Sequence, residues 1–217
     1  MIRPFIRSAS VLDPLMNSET SRHGPQPSSR LPPAEEIIDL FTRIASSPAL
    51  VIDEQEAPKL LGILTALHQA NMAVWALEDA IRREDIKLDE LALLKRDIDR
   101  KNLERNELIE AFDDRLSASL AQDPIATLHT ETPGSALDRL SIMTIRLLRS
   151  QEIAASQNGD GARYVERIPI LQAQLRGLGQ AIDALMSEIG SGQRRFMTIR
   201  QLKLYSAAPS SLPFARP

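Results

Sequence analysis

The chain has 217 residues, 43% hydrophobic and 25% charged, the composition of an ordinary globular protein long enough to bury one sizeable core. A formal net charge of -3 and a pI near 5.7 exclude the basic footprint of a general nucleic-acid binder. The absence of cysteine excludes disulfides, thiol chemistry and zinc–thiolate sites, and fits a reducing, cytoplasmic setting.

Residues 1–33 are rich in proline and serine (HGPQPSSRLPP) and are expected to form a disordered leader. Asp13 and Pro14 interrupt the apolar stretch that a signal peptide needs. Pro32 and Pro33 followed by AEEIIDLFTRIASS predict a helix start, with Glu35 and Glu36 complementing its N-terminal dipole. Ser46, Ser47 and Pro48 end that helix. DEQEAPKLLGIL opens a second helix near residue 55, which runs to about Arg83. The polar connection DIKLDE leads into a long helix over about 88–120. No continuous apolar run approaches the roughly 18 residues of a membrane-spanning helix, so no span is expected.

QDPIATLHTETPGS reads as a loop, and its end is a helix start. Thr132-Pro133-Gly134-Ser135 joins a capping threonine to a proline near the first helical position, with Asp138 in the first turn. The helix ALDRLSIMTIRLLRSQEIAAS follows, and NGDG stops it. The last long helix is expected to start near Ile170. Leu171, Leu175, Leu178, Ile182, Leu185 and Ile189 alternate in spacings of four and three, a packing seam regular enough to serve a homodimer or a partner helix. Gly190 and Gly192 close it, and RRFMTIRQLKLYSAAP forms a final short segment. No alternating pattern predicts a strand. The fold class is all-α: a single bundle-like domain of about five to six helices over residues 34–205, with a flexible tail at 206–217.

A polar stripe on two successive helices carries the functional signal. With Leu60 at 0° and about 100° per residue, Leu64, Leu67, Val74 and Trp75 lie within about 60° of it. Asn71, Glu78 and Arg82 share that arc, and His68 and Asp79 sit just outside it. On the long helix, Leu94, Ile98, Ile109, Phe112, Leu116 and Leu120 share an arc of about 80° that also contains Asn102 and Arg105. Asp99, Asn106, Glu110 and Asp113 flank it. Polar groups on a buried face cost several kcal/mol unless paired, so the stripe predicts a polar and charged core network or a site.

The ordered words His68-x-x-Asn71, Trp75-x-x-Glu78-Asp79-x-x-Arg82, Ile98-Asp99-x-x-Asn102-x-x-Arg105-Asn106-x-x-Ile109-Glu110-x-x-Asp113, Glu131-Thr132-Pro133-Gly134-Ser135-x-x-Asp138-Arg139-Leu140-Ser141-Ile142 and Gln201-x-Lys203-x-Tyr205 resemble a bacterial domain-of-unknown-function family, the one numbered 4254. The resemblance spans about residues 60–205. It implies a helical protein whose gene tends to lie near glycan and glycosyltransferase genes, and it brings no established activity. The ending departs from the family pattern: an Asn-Asp-Pro type sequence is expected after Tyr205, where Ser206-Ala207-Ala208-Pro209 stands.

Two kinds of chemistry fit the stripe. Glu78, Asp79, Glu110 and Asp113 on facing helices would hold Mg²⁺ or Mn²⁺, with His68 and Glu78 as catalytic residues. Arg82 and Arg105 would grip an anionic ligand alongside Asn71, Trp75, Asn102, Asn106 and Arg139. The competing expectation is that the same arginines neutralise the acids directly, in a lattice that needs no ligand. For His68 the ordinary role is a hydrogen-bonded core histidine, and for Trp75 a core aromatic. The Thr132–Ser135 turn offers free amides at a helix N-terminus, for which a capping role is expected, and Arg194, Arg195, Arg200 and Lys203 form a solvated basic patch. No phosphate loop, dinucleotide fingerprint or nucleophile motif is present. An accessory or regulatory protein linked to glycan or surface-polymer synthesis is the leading expectation. A metal-dependent hydrolase or transferase acting on a phosphorylated small molecule, such as a nucleotide or nucleotide-sugar, is the alternative.

Overall fold

The computed structural model describes residues 31–47, 59–156 and 161–201. The expected leader up to residue 30, the helix start near residue 55, most of the NGDG stop and the tail lie outside the described residues, as do Lys203 and Tyr205. Among those described, helices dominate: α1 Ala34–Ser46, α2 Lys59–Ala80, α3 Leu88–Ser119, α4 Pro133–Ala155, the short α5 Gly161–Val165 and α6 Ile168–Gly190. The all-α expectation holds.

Each boundary has a local cause. α1 begins after Pro33, which has no side-chain cap to offer, and the amide of Ala34 is instead taken up by Asp183 Oδ1 of α6 at 2.9 Å. Ile37, Leu40, Phe41 and Ile44 then bury one face. α3 runs for 32 residues, about 48 Å, and its observed ends match the expected ones within a residue or two. Thr132 caps α4 by accepting the Ser135 amide at 3.1 Å, with Pro133 at the first position as expected.

α2 and α3 form an antiparallel hairpin, and α4 packs on α2, α3, α1 and α6. The core combines Phe41 and Ile44 of α1, Leu64 and Leu67 of α2, Phe112 and Leu116 of α3, Leu137 and Leu140 of α4, and Leu175, Ile182, Leu185 and Ile189 of α6. Leu175, Ile182, Leu185 and Ile189 of the 171–189 seam are buried inside the chain, where α6 packs against α1 and α4, and Leu178 packs partly buried beside them. By length and composition α2 is long and apolar enough to cross a membrane, which a search for unbroken apolar runs passes over. In the fold its residues Leu60, Leu64, Leu67 and Ala70 are core.

A two-stranded parallel sheet was not expected. β1 Thr127–Leu128 pairs with β2 Arg194–Arg195, in the register Thr127 to Arg194 and Leu128 to Arg195. Two residues carry no periodicity that a sequence could show. The pairing ties the loop after α3 to the segment after α6, helped by Phe196 N donating to Gln122 Oε1 at 2.7 Å and by Arg195 Nε donating to the Ala126 carbonyl at 3.0 Å.

Candidate functional site: a paired polar core beside an arginine-lined groove

The stripe of α2 meets α4, and α3 reaches across to the same place. Asn71 donates through Nδ2 to Asp138 Oδ1 at 2.9 Å and to Ser141 Oγ at 3.0 Å. Arg105 donates through Nε to Asp138 Oδ1 at 2.7 Å and through Nη2 to Asp138 Oδ2, a two-pronged ion pair. The Asp138 carboxylate raises the Arg105 guanidinium above its ordinary range, burial opposing only part of that effect. His68 Nδ1 lies 2.8 Å from Ser141 Oγ, and its ring stacks on Phe41 with centroids 4.4 Å apart. Burial lowers the His68 pKa to about 4, the Phe41 backbone opposing this weakly. One assignment fits the contacts at Ser141: its hydroxyl accepts from Asn71 and donates to Nδ1 of a neutral imidazole, whose Nε2 then carries the proton. That Nε2 is buried and makes no regular hydrogen bond among the described residues; the nearby Phe41 backbone does not reach bonding geometry.

A second buried acid lies on α3. Asp113 is 1% exposed and accepts the Gly134 amide at 2.7 Å, at the N-terminus of α4. The anion position opened by the Thr132–Ser135 turn is thus filled by the protein's own carboxylate. Burial pushes Asp113 up to about 6, against the lowering effect of Thr132 and the Gly134 amide, with neighbouring Asp114 adding to the rise.

The expected site residues divide between these places and the surface. His68, Asn71 and Arg105 converge through Asp138 and Ser141. Glu78 and Asp79 do not join them: Glu78 is ten residues beyond His68, about 15 Å along α2. There Arg82, in the turn just after α2, pairs with Asp79 at 3.0 Å and with Glu78 at 4.0 Å, all three side chains at least partly exposed. Glu110 binds Arg200 at 3.2 Å and the Gln201 amide at 2.7 Å. Glu78, Asp79, Glu110 and Asp113 are therefore held apart, and no three His, Asp or Glu side chains come together as a metal would require among the described residues. Asn102 and Asn106 are half-buried on α3, and Arg139 is exposed and paired with Glu131. Asp138, treated as a first-turn acid, and Ser141 are the network members that the two-helix stripe did not reveal.

Trp75 and Arg82 instead line an open groove of about 600 Å³ between α2, α4, α5 and the start of α6. Arg146 and Arg149 enter it from α4, Tyr164 from α5, and Arg167 from the α5–α6 junction, with its guanidinium 5.3 Å from the Tyr164 ring centroid. Asp79 and Glu152 are the acids in the lining, so four arginines face two carboxylates. No periodicity argument on α2 and α3 alone reaches α5, which is why this half of the groove was not anticipated.

Fold and site together define an all-α bundle protein with a self-paired polar core and a cationic, aromatic groove at its side. The chain belongs to the family described as Protein of unknown function (DUF4254), which matches residues 62–198. That range contains the whole hydrogen-bonded network from His68 to Ser141 and the whole groove, while α1, with the Phe41 that stacks on His68, precedes it. No curated protein and no solved structure matches the chain.

Proposed function

We propose that the protein is a cytoplasmic bacterial accessory factor in the synthesis of a glycan or other surface polymer, a rigid helical body that binds and regulates without turning over a substrate. The observation that carries the non-catalytic half is the self-pairing of the central charges: Arg105, Asp138, Asn71 and Ser141 answer one another's hydrogen bonds, and His68 joins them through Nδ1 alone. His68 is buried and neutral, with its pKa held at about 4, far from the range of an efficient general base near neutrality. The polymer pathway rests on the gene setting of the family and on nothing in the fold. The alternative, a metal-dependent hydrolase or transferase, requires Glu78, Asp79, Glu110 and Asp113 on one ion, and they are spread over three separate hydrogen-bonding environments.

A gene deletion tests both halves. Loss of the gene is expected to lower the yield of the surface polymer, and a plasmid copy carrying Glu78→Gln and Glu110→Gln is expected to restore it, because Glu78 pairs with Arg82 and Glu110 with Arg200 and the Gln201 amide, away from the groove lining. Undiminished polymer in the deletion strain overturns the pathway. A folded but non-restoring double variant returns those acids to a catalytic role.

A further inference from the structure

The groove is more than a gap between helices. Arg82 and Arg149 have carboxylate partners in its walls, Asp79 at 3.0 Å and Glu152 at 2.7 Å. Arg146 has no carboxylate partner among the described residues, and Arg167 is held over Tyr164 without one. Among the described residues these two guanidiniums have no acid to answer, and their planar forks match phosphate oxygens. The chain has a single tryptophan and two tyrosines, yet Trp75 and Tyr164 both line this groove. Ile170, 59% exposed, and Ile153, 36% exposed, leave apolar surface at the same place. The volume of about 600 Å³ falls within the range of small-molecule sites.

We propose that this groove binds a nucleoside diphosphate, free or as the head of a nucleotide-sugar: Arg146 and Arg167 hold the two phosphates, and the base or sugar ring lies against Trp75 and Tyr164. A purely structural role for the arginines would place acids opposite them, as it does for Arg82 and Arg149. A site for inorganic phosphate alone would not need the aromatic pair. The site stands independently of the polymer pathway, since it is read from the groove alone.

Trp75 supplies its own reporter. Titration of the full chain with UDP, ADP and UDP-glucose is expected to change Trp75 fluorescence saturably below millimolar concentration for at least one of them, while uridine leaves it unchanged. Arg146→Gln with Arg167→Gln is expected to weaken that binding about tenfold or more, without lowering the melting temperature, because both side chains are exposed. A parallel Arg96→Gln variant, on the exposed face of α3, is expected to bind as the parent does. The proposal is overturned by any of three results: no saturable change with the three nucleotides, pyrophosphate binding as tightly as UDP, or undiminished affinity in the double arginine variant.

Discussion

Asp138 accepts two hydrogen bonds from Arg105 and one from Asn71, so a single carboxylate joins α2, α3 and α4. Its side chain is 7% exposed and that of Arg105 is 27% exposed. Asp138→Asn strands a half-buried cation, and a loss of about 3 kcal/mol is expected in urea unfolding. Asp138→Leu with Arg105→Met removes both charges and is expected to recover most of that loss. A single-variant loss below about 1 kcal/mol would show that solvent already screens the pair. Asn71 and Arg105 were legible in the sequence because each is a polar residue inside an apolar arc. Asp138 was not: it reads as a first-turn acid with a sufficient local explanation in the dipole, whereas α4 starts at Pro133 and has no acid in its first turn, so Asp138 sits one turn further in, facing α2 and α3. Ser141 was hidden for a similar reason: a helical serine ordinarily bonds back to its own backbone, as Ser150 does to the Arg146 carbonyl at 2.8 Å.

At the scale of elements, the start of α4 sets how closely two helices approach. A Cβ on Gly134 would lie 2.8 Å from Asp113 Oδ1 and 2.9 Å from the Ile109 carbonyl of α3. The carbonyl belongs to helix backbone and cannot swing away. Gly134→Ala is therefore expected to push α4 off α3 and to cost about 2 kcal/mol, read as a lowered urea midpoint. Asp113→Ala in the same chain relieves only the carboxylate contact and is expected not to restore the midpoint. An unchanged midpoint in Gly134→Ala would mean that the two helices are not in firm contact there. The helices themselves were legible from caps, prolines and apolar spacing, since those signals act within one or two turns. Depth along a helix was not. Glu78 lies on the correct face of α2, but α2 ends at Ala80, short of the expected Arg83, and Arg82 falls in the turn beyond it, so the two meet solvent and each other. Periodicity gives an angle around the axis and says nothing about where along it the neighbours stop.

At the scale of the whole molecule, two buried titrating groups act in opposite directions on stability. His68 has a folded pKa of about 4 against 6.5 unfolded, so the unfolded chain takes up a proton first and stability rises with pH between those values. Asp113 has a folded pKa of about 6 against 3.8 unfolded, so its native form keeps the proton longer. Its contribution is fully present below 3.8 and is lost as pH rises through 6. Each displacement exceeds two pH units, worth about 3 kcal/mol, and the two windows nearly coincide. Between pH 4 and 6 the two slopes are expected to offset each other. Asp113→Asn keeps an acceptor for the Gly134 amide and removes the titration. Relative to the parent, that variant is expected to lose up to about 3 kcal/mol of stability as pH falls from 6.5 to 4, the uncompensated His68 effect. His68→Gln is expected to do the reverse, gaining on the parent by a similar amount over the same acidification, whatever its constant cost in packing. Urea midpoints at several pH values between 4 and 7 give both slopes. Parallel pH profiles for parent and variants would mean that neither group is kept from solvent, and that the polar core is open to water where it here packs buried against Phe41 and Gly134.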